Sequence, residues 1–243
     1  MILMFTDFGT SGPYLGEMEA VLARLAPEIP RIRLMADAPA FAPRPAAYLL
    51  AALARRFAVG DVCLAVVDPG VGGDRLPLAL EADGRWFVGP DNGLFELVIR
   101  RAARLRSFVI DWQPAALSAS FHGRDLFAPV AARLARGDRR GLRPAPPTRF
   151  PDWPDDWATI VYLDAYGNAM TGLRGAALPA DALLEAGGRR LHRAAIFDAV
   201  AEGTPFWYVN SAGLVEIAVA RGHAGRLLDL AIGSPVAVVP GDG

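Results

Sequence analysis

The sequence predicts an α/β fold, in which a mostly parallel N-terminal sheet covered by helices is followed by a smaller antiparallel β domain. Over residues 1–142, short apolar runs alternate with segments of helical periodicity, which is typical of a parallel sheet flanked by helices. Residues 143–157 contain five prolines, a density that neither a helix nor a central strand tolerates, so we expect a linker there. Residues 158–243 return to short apolar runs separated by Gly, Asn and Asp, the pattern of a small antiparallel domain.

The periodicity assigns the elements of the first domain in order. Buried strands are predicted at residues 2–5, 32–35, 62–67 and 108–110. Helices that cover the sheet are predicted to begin at Tyr14, Pro45 and Asp125. Before the last strand, LPLALEADGRWFV predicts a hairpin with its turn at Asp83 and Gly84.

Five apolar runs predict the strands of the second domain. They are ATIVYLD, RLHRAAIF, PFWYVN, LVEIAVA and PVAVV. Each is bounded by turn-forming residues, so antiparallel neighbours joined by short connections are expected.

The composition excludes several classes of function. A net charge of −1 with 21% charged residues gives no basic excess, so nucleic acid is not an expected partner. All 25 basic residues are arginine, which excludes a Walker A lysine, a Schiff-base lysine and a lysine general base. No apolar run reaches the ~20 residues of a membrane helix, and the N-terminus lacks a signal-peptide pattern. We therefore expect a cytoplasmic protein with no membrane partner.

The cysteine and histidine content predicts no metal site. Cys63, the single cysteine, lies in the apolar run VCLAVV and is expected to be a buried core residue. Three histidines and one cysteine show no zinc-ligand spacing. His192 and His223 belong to no catalytic pattern and are expected at the surface.

Polar residues follow several predicted strands of the first domain. In an open α/β sheet, ligands bind outside the carboxyl ends of the strands, so these side chains are expected to converge. Each also has a structural interpretation, since Asp125 suits a helix cap and Asn-Gly suits a tight turn. The residues concerned are Asp7, Asp68, Asp91, Asn92, His122, Arg124 and Asp125.

The segment VVDPGVGGDR, residues 66–75, leaves three kinds of site open. A phosphate cradle is disfavoured because an acid heads the loop and a strand follows it. A two-metal hydrolase would suit the acids, but no HxH or DxH spacing occurs and Arg75 would compete with a metal. A cationic or polyhydroxy substrate is the third, with Asp, Arg and His acting on a water molecule.

Six motifs, in order along the whole chain, resemble the S-adenosylmethionine (SAM) hydroxide adenosyltransferases, relatives of the fluorinase and chlorinase. The resemblance implies hydrolysis of SAM to adenosine and L-methionine by hydroxide attack on C5′ of the ribose, with no cofactor. The motifs are TDFG with PYLG, VVDPGVG with Arg75, VGPDNGL, FHGRDLFAPVAA, LDAYGN and NSAGLVEIAVARG.

The resemblance also implies roles for individual residues. Asp68, Arg75 and His122 correspond to the set that prepares the water. Asp7 corresponds to the acid that holds the ribose hydroxyls. The remaining positions imply a contact near the methionine amino group from Asp164 and a contact to the same end of methionine from Ser211. They also imply contacts to the adenine edge from Asn168 and to the nucleoside from Phe41, Tyr166 and Phe197. Arg124, Asp125 and Asp91 are expected to be scaffold. A homotrimer with sites at its subunit interfaces is implied as well.

Two features bear on the choice of reaction. Halogenating relatives lack the Asp and His found here at 68 and 122, and the fluorinase has a long insertion where LPLALEADGRWF is compact, so hydrolysis is favoured over halogenation. Gly12 stands where the family usually has Asp, and Ala36-Asp37 where it usually has His-Asp, which bears on substrate affinity. The alternatives are a non-catalytic SAM or adenosine-binding module, a SAM-dependent halogenase and a metal-dependent hydrolase.

Overall fold

The computed structural model describes residues 1–179 and 181–240 of the 243-residue chain. The chain divides into two units, the first ending at Phe150 and the second beginning at Pro151. Within the described ranges, no helix combines the length and the apolar character that a membrane crossing requires.

The first unit contains a seven-stranded sheet in the order β2-β1-β3-β5-β4-β6-β7. Its strands are β1 (Ile2–Thr6), β2 (Arg31–Met35), β3 (Val62–Val66), β4 (Pro77–Ala82), β5 (Arg85–Pro90), β6 (Leu105–Ile110) and β7 (Leu142–Pro144). The pairs β2-β1, β1-β3 and β3-β5 are parallel, whereas β5-β4, β4-β6 and β6-β7 are antiparallel. The mostly parallel sheet is confirmed, and so is the hairpin, because β4 and β5 pair across Asp83 and Gly84. Both turn residues have positive φ, at 50° and 77°.

Helices cover this sheet, and the apolar periodicity predicts those near Tyr14, Pro45 and Asp125 but not the one at residues 96–101. They are α1 (Tyr14–Leu25), α2 (Pro43–Leu53), α3 (Glu96–Arg101) and α4 (Ala128–Ala135). Leu22 of α1 and Leu134 of α4 pack with Met4 and Leu64 of the sheet in one core. Strands β1 and β3 are buried at every position, as continuous apolar strands covered on both faces should be. Cys63 is fully buried in β3, and burial raises the pKa of its thiol, so it is a core residue.

The segment after residue 142 differs from the linker predicted over 143–157. Residues Leu142–Pro144 form an edge strand of the first sheet. Farther on, the backbone N–H and the hydroxyl of Thr148 donate to Asp91 at 3.0 and 2.9 Å. Phe150 donates its backbone N–H to the buried carboxylate of Glu96. Two acids therefore attach the first half of the proline-rich segment to the first unit, and this gives Asp91 its structural role.

The second unit contains two antiparallel sheets, in the orders β12-β13-β9-β8 and β11-β10-β14. The strands are β8 (Trp157–Leu163), β9 (Ala169–Arg174), β10 (Leu183–Ala186), β11 (Arg189–Leu191), β12 (Pro205–Val209), β13 (Leu214–Val219) and β14 (Ala237–Val239), with a short helix α5 (Ala224–Leu227). The predicted antiparallel domain is confirmed. The predicted strand RLHRAAIF is largely wrong, because only its first two residues lie in β11. Arg193 then forms an isolated bridge to Trp207, and Phe197–Ala199 is a 3₁₀ turn.

Candidate active site

A pocket of about 540 Å³ lies in the first unit where the chain leaves β1 and β3. Asp7 directly follows β1, and Asp68 comes two residues after β3. His122 and Phe41 complete this set of predicted site residues on the pocket wall. The convergence expected at the carboxyl ends of parallel strands is therefore present for Asp7, Asp68, His122 and Arg124. It does not include Asp91 or Asn92: Asp91 accepts from Thr148, and the side-chain amide of Asn92 donates to the carbonyl of Val67.

Asp68 and Arg75 form a bidentate ion pair behind the pocket. Nε of Arg75 donates to both carboxylate oxygens at 3.1 Å, and Nη2 donates to Oδ2 at 2.5 Å. The two side chains are only 4% and 10% exposed. Within the loop, the backbone N–H groups of Val71 and Gly73 donate to the backbone carbonyl oxygens of Asp68 and Gly70, respectively. These tight turns bring the chain back so that Arg75 reaches the acid seven residues before it.

Arg75 also fixes the protonation of His122. Its Nη2 atom lies 2.9 Å from Nδ1 of His122. Because a guanidinium group can only donate, Nδ1 must accept, which assigns the ring proton to Nε2. Burial and, next, the charge of Arg75 lower the pKa of His122 below 6.5, and they outweigh the opposing charges of Asp68 and Asp125. The imidazole is therefore a neutral Nε2–H donor.

The loop that carries Asp68 lies directly against the segment that leads to His122. Gly72 has φ at 79°, and a Cβ there would overlap the backbone carbonyl oxygen of Ala119. Only glycine combines this left-handed conformation with such a close approach. Ser118, on the same segment, donates its backbone N–H to Asp125 at 2.9 Å.

Arg124 and Asp125 hold this segment in place, as the scaffold role predicts. Arg124 donates to both oxygens of Asp125 and also to Glu17 of α1. Both residues belong to a π-helix, Gly123–Phe127, that leads into α4. The helix predicted from Asp125 therefore begins two residues earlier and in a wider form, which is frequent at functional sites.

Asp7 holds Phe41 in an unusual conformation. Oδ2 of Asp7 accepts the backbone N–H of Phe41 at 3.0 Å. Phe41 has φ at 57°, a rare value for a non-glycine residue, and its side chain is 78% exposed. Burial raises the pKa of Asp7, the bond from Phe41 opposes this shift, and the charge of Asp68 adds to it. A strained, exposed aromatic next to a half-buried acid is an arrangement that accumulates at ligand sites.

In the second unit, Asp164 organises its own turn. Its Oδ1 accepts the backbone N–H groups of Tyr166 and Asn168 at 2.9 and 2.8 Å, and Oδ2 accepts the side-chain amide of Asn168 at 3.0 Å. Tyr166 is 79% exposed, whereas Asn168 is buried. The three predicted residues of this motif therefore share one turn.

His223 supports the same turn, although the sequence predicted a surface residue. Its ring is half-buried and packs so closely on Gly167 that a Cβ there would overlap it. Its Nδ1 accepts the backbone N–H of Arg226 and thereby caps α5. No sequence pattern indicates this contact, because it depends on a Gly at φ 84° more than fifty residues away.

Glu216 is a second residue that sequence reasoning missed. It is 2% exposed on β13 and accepts hydrogen bonds from the Tyr208 hydroxyl at 2.7 Å and the Asn210 amide at 2.6 Å. Oδ1 of Asn210 in turn accepts the backbone N–H groups of the two residues that flank Gly213. Ser211 lies within the turn that this network holds. Burial raises the pKa of Glu216, and the charge of Asp164 contributes to the shift.

Phe197 packs beside this network. Its ring centroid lies 5.1 Å from that of Phe206 and 5.2 Å from that of Tyr208, both edge to face. It remains 41% exposed. The structure therefore brings the predicted residues together in two groups. The first unit holds Asp7, Phe41, Asp68, Arg75 and His122, and the second holds Asp164, Tyr166, Asn168, Phe197 and Ser211.

No group of three His, Cys, Asp or Glu side chains in the described part of the chain is arranged to hold a metal ion.

Comparison with known proteins identifies the family. The SAM hydroxide adenosyltransferase N-terminal domain matches residues 2–141, and the C-terminal domain of the same name matches residues 158–237. Two relatives are named (R)-S-adenosyl-L-methionine hydrolase. The one from Thermus thermophilus is 40% identical over 97% of this chain and 98% of its own length. The one from Salinispora arenicola is 36% identical, over 98% and 94% respectively.

Solved structures agree with this assignment. A conserved protein from Thermotoga maritima superposes with a TM-score of 0.88 at 27% identity, and a conserved protein from Thermus thermophilus superposes with a TM-score of 0.78 at 37% identity. Each comparison covers 98% of this chain and 99% of the other. The resemblance found in the six motifs is confirmed, and this chain belongs to the SAM hydroxide adenosyltransferase family.

Proposed function

We propose that this protein is a cytoplasmic hydrolase that converts SAM to adenosine and L-methionine by attack of water, as hydroxide, on C5′ of the ribose. The observation that carries the proposal is the arrangement in which Arg75 contacts both Asp68 and His122, two residues that line one pocket with Asp7. The names of the two relatives support the same reaction.

The water needs both an acceptor and a donor. Water has a pKa of about 15.7, so attack requires that its proton move away as the new bond forms. Oδ1 of Asp68 accepts a single long bond from Arg75 and keeps capacity for a hydrogen bond from water. The Nε2–H of His122 donates to the water oxygen and stabilises the developing hydroxide. Arg75 orients both groups from behind.

The leaving group explains why no further acid is needed. As the water oxygen bonds to C5′, the C5′–S bond breaks and its electron pair stays on sulfur. The sulfonium thereby becomes the neutral thioether of methionine, which requires no proton. The proton of the water passes to the Asp68 carboxylate and then to solvent. No metal or organic cofactor takes part in this scheme.

Binding is divided among the other predicted residues. Asp7 receives the ribose hydroxyls, and Phe41 packs on the nucleoside. From the second unit, Asn168 reads the adenine edge, Tyr166 and Phe197 pack on the nucleoside, and Asp164 and Ser211 contact methionine. We further propose a homotrimer in which each site forms at a subunit interface. The large exposed areas of Phe41 and Tyr166 support a site that is completed by another surface.

The reaction is tested by incubating the protein with SAM and separating the products by chromatography. Equimolar adenosine and methionine are expected, and added chloride or fluoride should give no 5′-halogenated nucleoside. Tight binding of SAM without turnover would favour the binding module instead. Loss of activity with chelator and recovery with added metal would favour the metal-dependent hydrolase.

The pH dependence tests the assigned form of His122. Protonation of Nδ1 would place an imidazolium against Arg75, so only neutral His122 supports the reaction. Because the pKa of His122 lies below 6.5, kcat/KM should be constant at neutral pH and above, and should fall as pH drops through this lowered pKa. The residual activity of a His122→Gln variant should lack this acid limb. An unchanged limb would assign it to another group, and the raised pKa of Asp7 makes that carboxyl the next candidate.

A further inference from the structure

Glu17 is a third carboxylate on the wall of the pocket that contains Asp7 and Asp68. It lies in the first turn of α1, and 39% of its side chain is exposed. Its Oε2 accepts a hydrogen bond from Nη1 of Arg124 at 2.5 Å. Among the described residues, none donates to its other oxygen, Oε1. This oxygen is therefore available to a ligand.

The cation beside Glu17 is already balanced. Nε and Nη2 of Arg124 donate to the two oxygens of Asp125 at 2.6 and 3.0 Å. One guanidinium thus lies between two carboxylates, and the group keeps an excess of negative charge. Glu17 and Asp7 consequently give this pocket wall a potential that favours a cation.

Aromatic packing fixes Glu17 relative to the predicted reaction centre. The ring of Phe121, the residue before His122, lies 5.4 Å from that of Tyr14 and 5.8 Å from that of Phe8. The guanidinium carbon of Arg124 lies 4.9 Å from the Phe121 centroid on the same segment. Glu17 is three residues after Tyr14, on the same helix face. The start of α1 is therefore held against the segment that carries His122.

We infer that Glu17 binds the α-ammonium group of SAM and makes the site selective for the amino-acid end of the substrate. This inference rests on the proposed function. An ammonium group carries three N–H donors, whereas the sulfonium carries none, so an unused carboxylate oxygen suits the ammonium. Asp164, the acid that the family resemblance places near the methionine amino group, already accepts three hydrogen bonds from its own turn, so the three N–H donors of the ammonium leave room for a second carboxylate. Glu17 accepts only one.

The test is a Glu17→Gln variant, which retains an oxygen for Arg124 but loses the charge. Loss of a charge-assisted hydrogen bond at a partly exposed site is expected to raise KM for SAM by about 5- to 20-fold, whereas kcat should stay within about twofold of the wild type. Glu19→Gln is the matched control, since Glu19 lies on the same helix but pairs with Arg33. It should leave KM unchanged.

Ligands separate recognition of the ammonium from a general structural effect. Adenosine, which lacks the amino group, should bind the wild type and Glu17→Gln equally, and so should a SAM analogue with a keto group in place of the amine. An unchanged KM for SAM, or equal weakening of adenosine and SAM, would overturn the inference. If the wild type does not hydrolyse SAM, calorimetric affinities for SAM and adenosine still test Glu17 independently of the proposed reaction.

Discussion

Replacing Asp68 by Asn is expected to reduce kcat for SAM hydrolysis by about three orders of magnitude, within the range of 10²–10⁴ typical of a positioned acid–base group. In the proposed mechanism, the variant loses the acceptor that orients the water and receives its proton. It also weakens the two-pronged bond from Arg75, so Nδ1 of His122 loses a firmly held donor. Asp7 and Phe41 are not touched, and adenosine affinity measured by calorimetry should stay within about threefold.

Asp138→Asn is the matched control for this experiment. Nε of Arg140 donates to both oxygens of Asp138 and Nη2 donates to one of them, the same pattern that joins Arg75 to Asp68. The Asp138 pair lies at the surface, where Arg140 is 89% exposed. Asp138→Asn should therefore retain wild-type kcat. Wild-type turnover in Asp68→Asn would remove Asp68 from the mechanism, and parallel loss of adenosine binding would indicate a folding defect.

Local sequence carries the information for much of the first group of site residues. Asp7 and Asp68 follow continuous apolar runs, and such runs predict strands whose carboxyl ends meet at one edge. The glycines between Asp68 and Arg75 predict a tight loop, so a contact between residues seven apart is expected from chain geometry. These are short-range patterns. They predict the structure correctly here because both strands are buried on both faces, as continuous apolar runs require.

The ring orientation of His122 lies outside such patterns. It depends on the approach of two loops 47 residues apart, which is permitted at Gly72 and Ala119 and secured by Arg75. A sequence shows that a histidine is present but not which nitrogen faces the arginine. Because Nδ1 faces Arg75, the ring proton lies on Nε2, and the proposed role of His122 is therefore that of a hydrogen-bond donor.

Buried polar contacts in the second unit are likewise not predictable from local sequence, because they join residues on different strands. All six residues of β13 are buried, so the strand shows no alternation of buried and exposed positions from which the environment of Glu216 could be predicted. Its partners, Tyr208 and Asn210, come from β12 and the following turn. The family motif that ends in LVEIAVARG therefore combines a buried polar network with an apolar strand, and only the three-dimensional packing separates the two.

The close approach of the two loops leads to a second prediction with a large effect. Gly72→Ala should reduce kcat by about 100-fold, because a displacement on the order of 1 Å between reacting groups has that consequence. The new Cβ would overlap the carbonyl of Ala119, a backbone atom that cannot rotate away. The loop with Asp68 and Arg75 must then separate from the segment with His122.

Gly137→Ala distinguishes this displacement from backbone strain alone. Gly137 has the same φ of 79°, but a Cβ there would meet nothing within 4 Å. Both variants therefore place alanine in the left-handed region, which is expected to lower the free energy of unfolding by about 1–2 kcal/mol in each. The part of the fall in Tm that this strain causes should be similar in the two variants. Only Gly72→Ala should lose kcat and shift the imidazole ¹⁵N resonances of His122. If Gly72→Ala keeps wild-type kcat while losing stability like Gly137→Ala, the reaction does not depend on the contact between the two loops, and Arg75 alone would have to position His122.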